Sequence, residues 1–260
     1  MRNIRLILEY DGTNYVGWQI QKRHRGKTIQ GTVTKALQRI LQEKINLIGS
    51  GRTDSGVHAK NQVANFRTTS RIPLGNLKKA LNSILPKDIA VKQIKQVALD
   101  FHSRFSATSK AYRYVILNRS CHDPFLRSFA YFYPFKLNIK LMRKEAKALL
   151  GRHNFAAFRA SVALASGGQT TAFRSAGKKK NPVKTIKKIR ITKIKDLIYI
   201  DVTADGFLYN MVRNIVGTLI DIGRGRLAKG GLKKILNSQD RRLAGFTAPA
   251  KGLFLTAVRY

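Results

Sequence analysis

The densest run of potentially reactive side chains is residues 49–59, GSGRTDSGVHA. Three glycines and several hydroxyl residues surround one carboxylate, Asp54. Glycines at this density let the backbone turn tightly and let a ligand come close. Arg52, two residues before Asp54, is near enough to keep a partly buried carboxylate ionised, the state in which a carboxylate can attack an electrophile or take a proton. An aspartate in such a loop also suits plain turn capping. A phosphate-binding loop does not match, because the Gly-Lys-Ser/Thr ending is missing. A metal cage does not match either: Glu43 is the only other carboxylate within about thirty residues of Asp54, and a hard cation wants several oxygen ligands. His58 reads as a brace for the loop rather than a base. His24, His102, His122 and His153 are scattered without ligand spacing.

The elements that must position this loop can be read from periodicity. Residues 4–10 (IRLILEY) form a strand, and residues 28–43 a helix with Ile29, Val33, Leu37 and Ile40 on one face. Thr28 can cap that helix, although Gly31 stands where a capping box needs Glu or Gln. Residues 45–50 and 62–68 flank the loop as strands. Residues 74–85 form a helix stopped by Pro86, and residues 89–99 another strand. The second half repeats the order: a strand at 110–117, a helix at 139–150 stopped by Gly151, and a hairpin of 184–194 and 197–204 turning at Lys195-Asp196. A long helix at 207–222 follows with Asp205 as its N-cap, then a short helix at 229–237 and a last strand at 253–258. Each half fits the βαββαβ plan. The expectation is an α+β protein of two similar ferredoxin-like halves, 1–107 and 108–260, joined around a basic central cleft.

Charge narrows the partner. The chain of 260 residues carries 50 Lys and Arg against 13 Asp and Glu, a formal net charge of +37, while 43% of it is hydrophobic. That apolar fraction supports a core and argues against disorder; the charge points to a polyanion, with nucleic acid first. Residues 108–260 hold 31 basic and 7 acidic residues against 19 and 6 in residues 1–107. Basic clusters at 22–27 (KRHRGK) and 178–195 suit phosphate contacts, which add salt dependence without sequence specificity. The single cysteine, Cys121, excludes an internal disulfide and suits a reducing cytoplasm. No apolar run approaches the length of a membrane span.

The string GRTDSGVHA resembles the active-site motif of the tRNA pseudouridine synthase A family, usually GRTDAGVHA, with Ser55 the one difference. Four further segments are similar to that family in the same order: YDGTNYVGWQIQ at 10–21, FHSRFSATSKAYRYVI at 101–116, DGFLYNMVRNIVGTLIDIGRG at 205–225 and APAKGLFLTAVRY at 248–260. The resemblance implies isomerisation of uridine to pseudouridine at positions 38 to 40 in the anticodon arm of tRNA. It implies a homodimer and two similar α/β domains flanking a basic cleft, with no metal and no organic cofactor.

By the same resemblance Asp54 is the catalytic carboxylate and Arg213 its basic partner. Tyr112 is the active-site tyrosine, able to stack on the flipped base or pass a proton through its hydroxyl. Arg52 helps extrude the target nucleotide, and Leu253 and Leu255 form an apolar wall beside the uracil. Each has a plainer alternative: Arg213 as a phosphate contact, Tyr112 and the leucines as core, Arg52 as a loop brace. Tyr114, on the same strand face as Tyr112, reads as packing. Trp18 with Tyr15 suits either an RNA platform or packing of the first loop. A noncatalytic RNA-binding protein would share the charge but gives no reason for Asp54. The segment 161–180 reads as an insertion near the RNA.

Overall fold

A computed structural model of the chain describes residues 1–21, 26–160 and 181–260. The fold is mixed α/β, with both parallel and antiparallel strand pairs. Two compact units are distinguished, residues 1–112 with 253–260, and residues 113–252.

In the first unit, β1 (Arg2–Tyr10) is central, antiparallel both to β3 (His58–Thr68) and to β4 (Ile89–Val97). Ile4, Leu6 and Leu8 of β1 are fully buried, as the period-2 pattern requires. Helix α1 (Ile29–Leu41) buries Ile29, Val33 and Leu37, and α2 (Leu74–Ile84) buries Leu77 and Leu81. Thr28 does cap α1, accepting the Gly31 N–H at 3.2 Å, although no capping box assists it. The helix ends two residues earlier than its periodicity suggests. Gln42 enters the left-handed region (φ 53°), and the Glu43 carboxylate instead accepts hydrogen bonds from Thr68 and Thr69. The strand expected at 45–50 shrinks to β2 (Ile48–Gly49), paired with β3. The last strand of the chain, β10 (Leu253–Arg259), runs parallel to β3, with Phe254 opposite His58 and Leu255 opposite Ala59. The strand β5 (Ser109–Leu117) begins in this unit, next to β10.

The second unit takes the rest of β5, with the short β6 (Tyr131–Phe132) parallel to it. Antiparallel strands β8 (Val183–Ile194) and β9 (Leu197–Ala204) form the expected hairpin, with Lys195 in the left-handed region at φ 50°. Helices α3 (Ile139–Ala146), α4 (Met211–Arg224) and α5 (Gly231–Ser238) pack on one another. Two expectations are corrected here. Gly151 does not only follow a helix: it opens a short strand, β7 (Gly151–Asn154), paired with β8, whose sequence GRHN has no apolar alternation to reveal it. Helix α4 starts at Met211, because Asn210 takes a left-handed conformation (φ 56°) and acts as the N-cap. Asp205 is therefore not the cap, and its carboxylate accepts the Thr185 N–H at 3.0 Å.

Candidate active site

Asp54 sits in a loop clamped from both sides by residues 10–19. On its N-terminal side, Trp18 N–H donates to the Thr53 carbonyl at 3.0 Å. On its C-terminal side, Gly56 N–H and the Ser55 hydroxyl donate to the Tyr15 carbonyl at 3.2 and 3.3 Å. Val57 N–H closes the turn onto the Asp54 carbonyl at 3.1 Å. The two loops approach closer than side chains allow. A Cβ on Gly12 would lie 2.1 Å from the Val57 oxygen, and one on Gly17, which also has φ +101°, would lie 2.6 Å from the Thr53 oxygen.

The floor of the loop is polar and fully paired. Ser50 N–H donates to the Val63 carbonyl and its hydroxyl to Gln62 Oε1, both at 2.7 Å. Gln62 Nε2 donates to the Gly51 carbonyl at 3.0 Å, and Lys110 Nζ to the Ser50 carbonyl. The register of β1 against β3 shifts between Leu8 and Tyr10, a bulge that re-aims a side chain; the Tyr10 hydroxyl meets Thr53 Oγ1 at 2.8 Å. Such a network fixes the loop because an orphaned buried partner would cost about 1–3 kcal/mol. Gln62 and Tyr10 were not singled out by sequence reasoning. Gln62 is one of several polar residues in the strand that follows the motif, so its type alone gave no signal.

His58 is the brace its position suggested. It is buried, stacks on Phe254 with ring centroids 4.7 Å apart, and its Nδ1 accepts the Gly12 N–H at 3.0 Å. Asp11 Oδ1 lies 3.1 Å from the same nitrogen. A backbone N–H cannot turn away, so Nδ1 serves Gly12, while Asp11 Oδ1 accepts from the backbone and hydroxyl of Thr13 in a local turn.

Tyr112, on β5, is 8% exposed and close enough to Asp54 to feel its charge. Burial raises its phenol pKa most, and the neighbouring Tyr10 and Asp54 raise it further. It therefore keeps its proton and can donate it in a hydrogen bond. Tyr114 is fully buried and its hydroxyl donates to the Pro249 carbonyl at 2.7 Å, a packing role. Leu253 and Leu255 are buried at the start of β10. Arg52 is exposed, and its Nε donates to Gln19 Oε1 at 3.1 Å.

Asp54, Arg52, Tyr112 and Leu253 thus belong to the first unit and Arg213 to the second. In the first turn of α4, Arg213 Nε donates to the Ala248 carbonyl at 2.6 Å and its Nη1 to Asn210 Oδ1 at 3.0 Å. Trp18 and Tyr15 are buried, at 1% and 3% exposure, so they pack the first loop and offer no RNA platform. Residues 22–25 of the first basic cluster, His24 among them, lie outside the described residues, as do the insertion 161–180 and the first three lysines of the second cluster. Among the described residues no group of three His, Cys, Asp or Glu could hold a metal ion, and no helix is long and apolar enough to cross a membrane.

Residues 6–106 and 146–260 match the family described as tRNA pseudouridine synthase. A tRNA pseudouridine synthase A of Thermoanaerobacter sp. (strain X514) is 45% identical over 260 residues, covering 100% of both chains. A tRNA pseudouridine synthase A 2 of Clostridium tetani is 45% identical over 259 residues, covering 100% of this chain and 99% of the relative. A tRNA pseudouridine synthase A of Acetivibrio thermocellus is 44% identical over 260 residues, again covering 100% of each.

Proposed function

The chain belongs to the tRNA pseudouridine synthase family, and we propose that it isomerises uridine at positions 38 to 40, in the anticodon arm of tRNA, with Asp54 as the reacting carboxylate. The observation that carries this reading is the Asp54 loop itself. One half-buried carboxylate is fixed from both flanks by backbone hydrogen bonds and glycine contacts, a construction that simple RNA binding does not need.

In the reaction the N1–C1′ bond breaks, the uracil turns, and a C5–C1′ bond forms. A proton leaves C5 and N1 gains one, with no net redox change. An ionised carboxylate can attack the ring, attack the sugar or take a sugar proton, and each role requires Asp54 unprotonated and held in place. Tyr112, protonated and beside Asp54, is suited to donate a hydrogen bond or stack on the base rather than to act as the base that strips C5. Arg52 stands exposed at the edge of the loop, where a cation can help hold an extruded nucleotide's place in the stem. Leu253, buried at the start of β10 just before Phe254, which stacks on His58, is assigned to the apolar wall beside the uracil by its motif. Arg213 is assigned as the cationic partner by its motif alone.

The reading extends to a homodimer acting in the cytoplasm, in keeping with a single exposed thiol at Cys121; mass measurement in solution tests the dimer. The decisive experiment is tritium release from uracil C5 in unmodified tRNA transcripts. Wild-type protein should release tritium mapping to the anticodon arm. Asp54→Asn should release at least about 10⁴-fold more slowly while binding tRNA within about twofold of wild type. Tight tRNA binding with no release from wild type would favour a noncatalytic RNA-binding protein instead.

A further inference from the structure

Within the first unit, a cavity of about 700 Å³ opens between α1 and the turn that joins α2 to β4. Lys35 and Arg39 stand four residues apart on α1, hence on one face of the helix, and Lys27 lies at the cavity edge just before the helix. No side-chain hydrogen bond or ion pair joins these three exposed cations to a described residue. The opposite wall is apolar, with Ile84 exposed and Pro86 beside it. The one carboxylate in the lining, Asp88, accepts the Tyr15 hydroxyl at 2.6 Å. Tyr15 is also the residue whose carbonyl holds Ser55 and Gly56. The cavity thus backs onto the Asp54 loop through Tyr15, whose side chain meets Asp88 and whose carbonyl holds the loop.

We propose that this cavity is a phosphate-recognition site for one nucleotide of the bound tRNA other than the target uridine. Three cations without a side-chain partner among the described residues line the cavity, and Arg39 is able to bind a phosphate in bidentate fashion. The apolar wall of Ile84 and Pro86 accepts the sugar or base. Contacts to phosphate position an RNA without reading its sequence, and here they would do so beside the tyrosine that holds the reacting loop. That the nucleotide comes from tRNA rests on the function proposed above; the cavity chemistry does not.

The test is a paired charge reversal. Lys35→Glu/Arg39→Glu is compared with Lys79→Glu/Lys95→Glu, an equal charge change at lysines outside the cavity. Binding of a tRNA transcript is measured between about 50 and 200 mM salt. The cavity pair should lose at least about tenfold in affinity, with a salt slope shallower by about 2, and the control pair should lose far less. Equal losses would overturn the proposal. Lys35→Gln/Arg39→Gln, checked for native circular dichroism, repeats the measurement should charge reversal impair folding. Titration of wild type with UMP separates the sources: saturation that requires Lys35 and Arg39, with tRNA affinity unchanged in the variant, overturns the tRNA assignment in favour of a free nucleotide. C5 tritium release is read alongside. Release by wild type with unaltered affinity in the cavity variant sinks the cavity and leaves the activity; binding that depends on Lys35 and Arg39 without any release sinks the activity and leaves the cavity.

Discussion

In the first unit, Asp54 rides on a loop whose position is set by what is missing: Gly12 and Gly17 leave room for a backbone contact that any side chain would push apart. In the second, Arg213 opens a helix whose setting is made of side chains that are present. Its neighbour Asn214 donates to the Phe158 carbonyl at 2.8 Å and accepts from Thr247 at 2.6 Å and from Arg241 at 3.1 Å. Ala248 N–H in turn donates to the Arg213 carbonyl at 3.2 Å. Neither device is confined to one region, since the Asp54 loop also rests on paired polar groups and Gly217 of α4 leaves room for the Phe246 carbonyl; adding an atom at Gly12 tests the first setting, and removing atoms at Asn214 tests the second.

Among substitutions that leave the reacting carboxylate in place, Gly12→Ala is expected to have the largest effect. Its new methyl would collide with the Val57 carbonyl, shifting the loop; overpacking of this kind costs roughly 1–3 kcal/mol, and a displacement near 1 Å costs about 10²-fold in kcat. Steady-state tritium release and urea unfolding measure the two together. Asn214→Ala should come next, losing about 1–3 kcal/mol of stability as the Phe158 carbonyl and the Arg241 guanidinium lose a buried partner. Urea unfolding reads it, and the fall in kcat should be smaller than that of Gly12→Ala. Similar kcat losses in the two variants would erase the distinction.

Tyr10→Phe should be the mildest, about 1 kcal/mol for the lost hydroxyl contact with Thr53. It also sharpens the comparison through pH. Burial raises the phenol of Tyr10 above its ordinary 10.0, against the opposing pull of its hydrogen bonds to Thr53 and Gln62. The folded protein therefore holds that proton more tightly than the unfolded chain. The stabilisation is fully present below about pH 10 and is lost as pH rises beyond it. Tyr112 behaves in the same direction. Stability followed by denaturant titration should stay level in this respect up to pH 9, then fall, and fall less steeply in Tyr10→Phe. An equal slope in the variant would mean that Tyr10 takes no part in the alkaline transition.

Much of the fold was legible because the relevant signals are local. The alternation in residues 4–10, Pro86 after α2 and the Lys195-Asp196 turn each act within a few residues, and β1, α2 and the β8–β9 hairpin appear where they were expected. The misses share a cause. The strand β7 has polar residues paired with β8, and the start of α4 is set by a left-handed Asn210; neither leaves a periodic trace. At the site, the motif marked Asp54 and His58, and strand alternation put Tyr112 and Tyr114 together. The hydrogen bonds of Gln62, Tyr10 and Lys110 beneath the loop left no comparable mark.

Most of the element types, the cationic character and the family were readable from the chain, since these follow from periodicity, composition and ordered motifs along one dimension. Only the tertiary structure decided that Trp18 and Tyr15 are buried supports rather than a surface for RNA, that Asp205 caps no helix, and that the cations at α1 face Ile84, Pro86 and Asp88 across one cavity. The reason is distance along the chain: Tyr15 reaches Asp88 and the Asp54 loop through contacts that span tens of residues, and such contacts exist only once the strands and helices have packed.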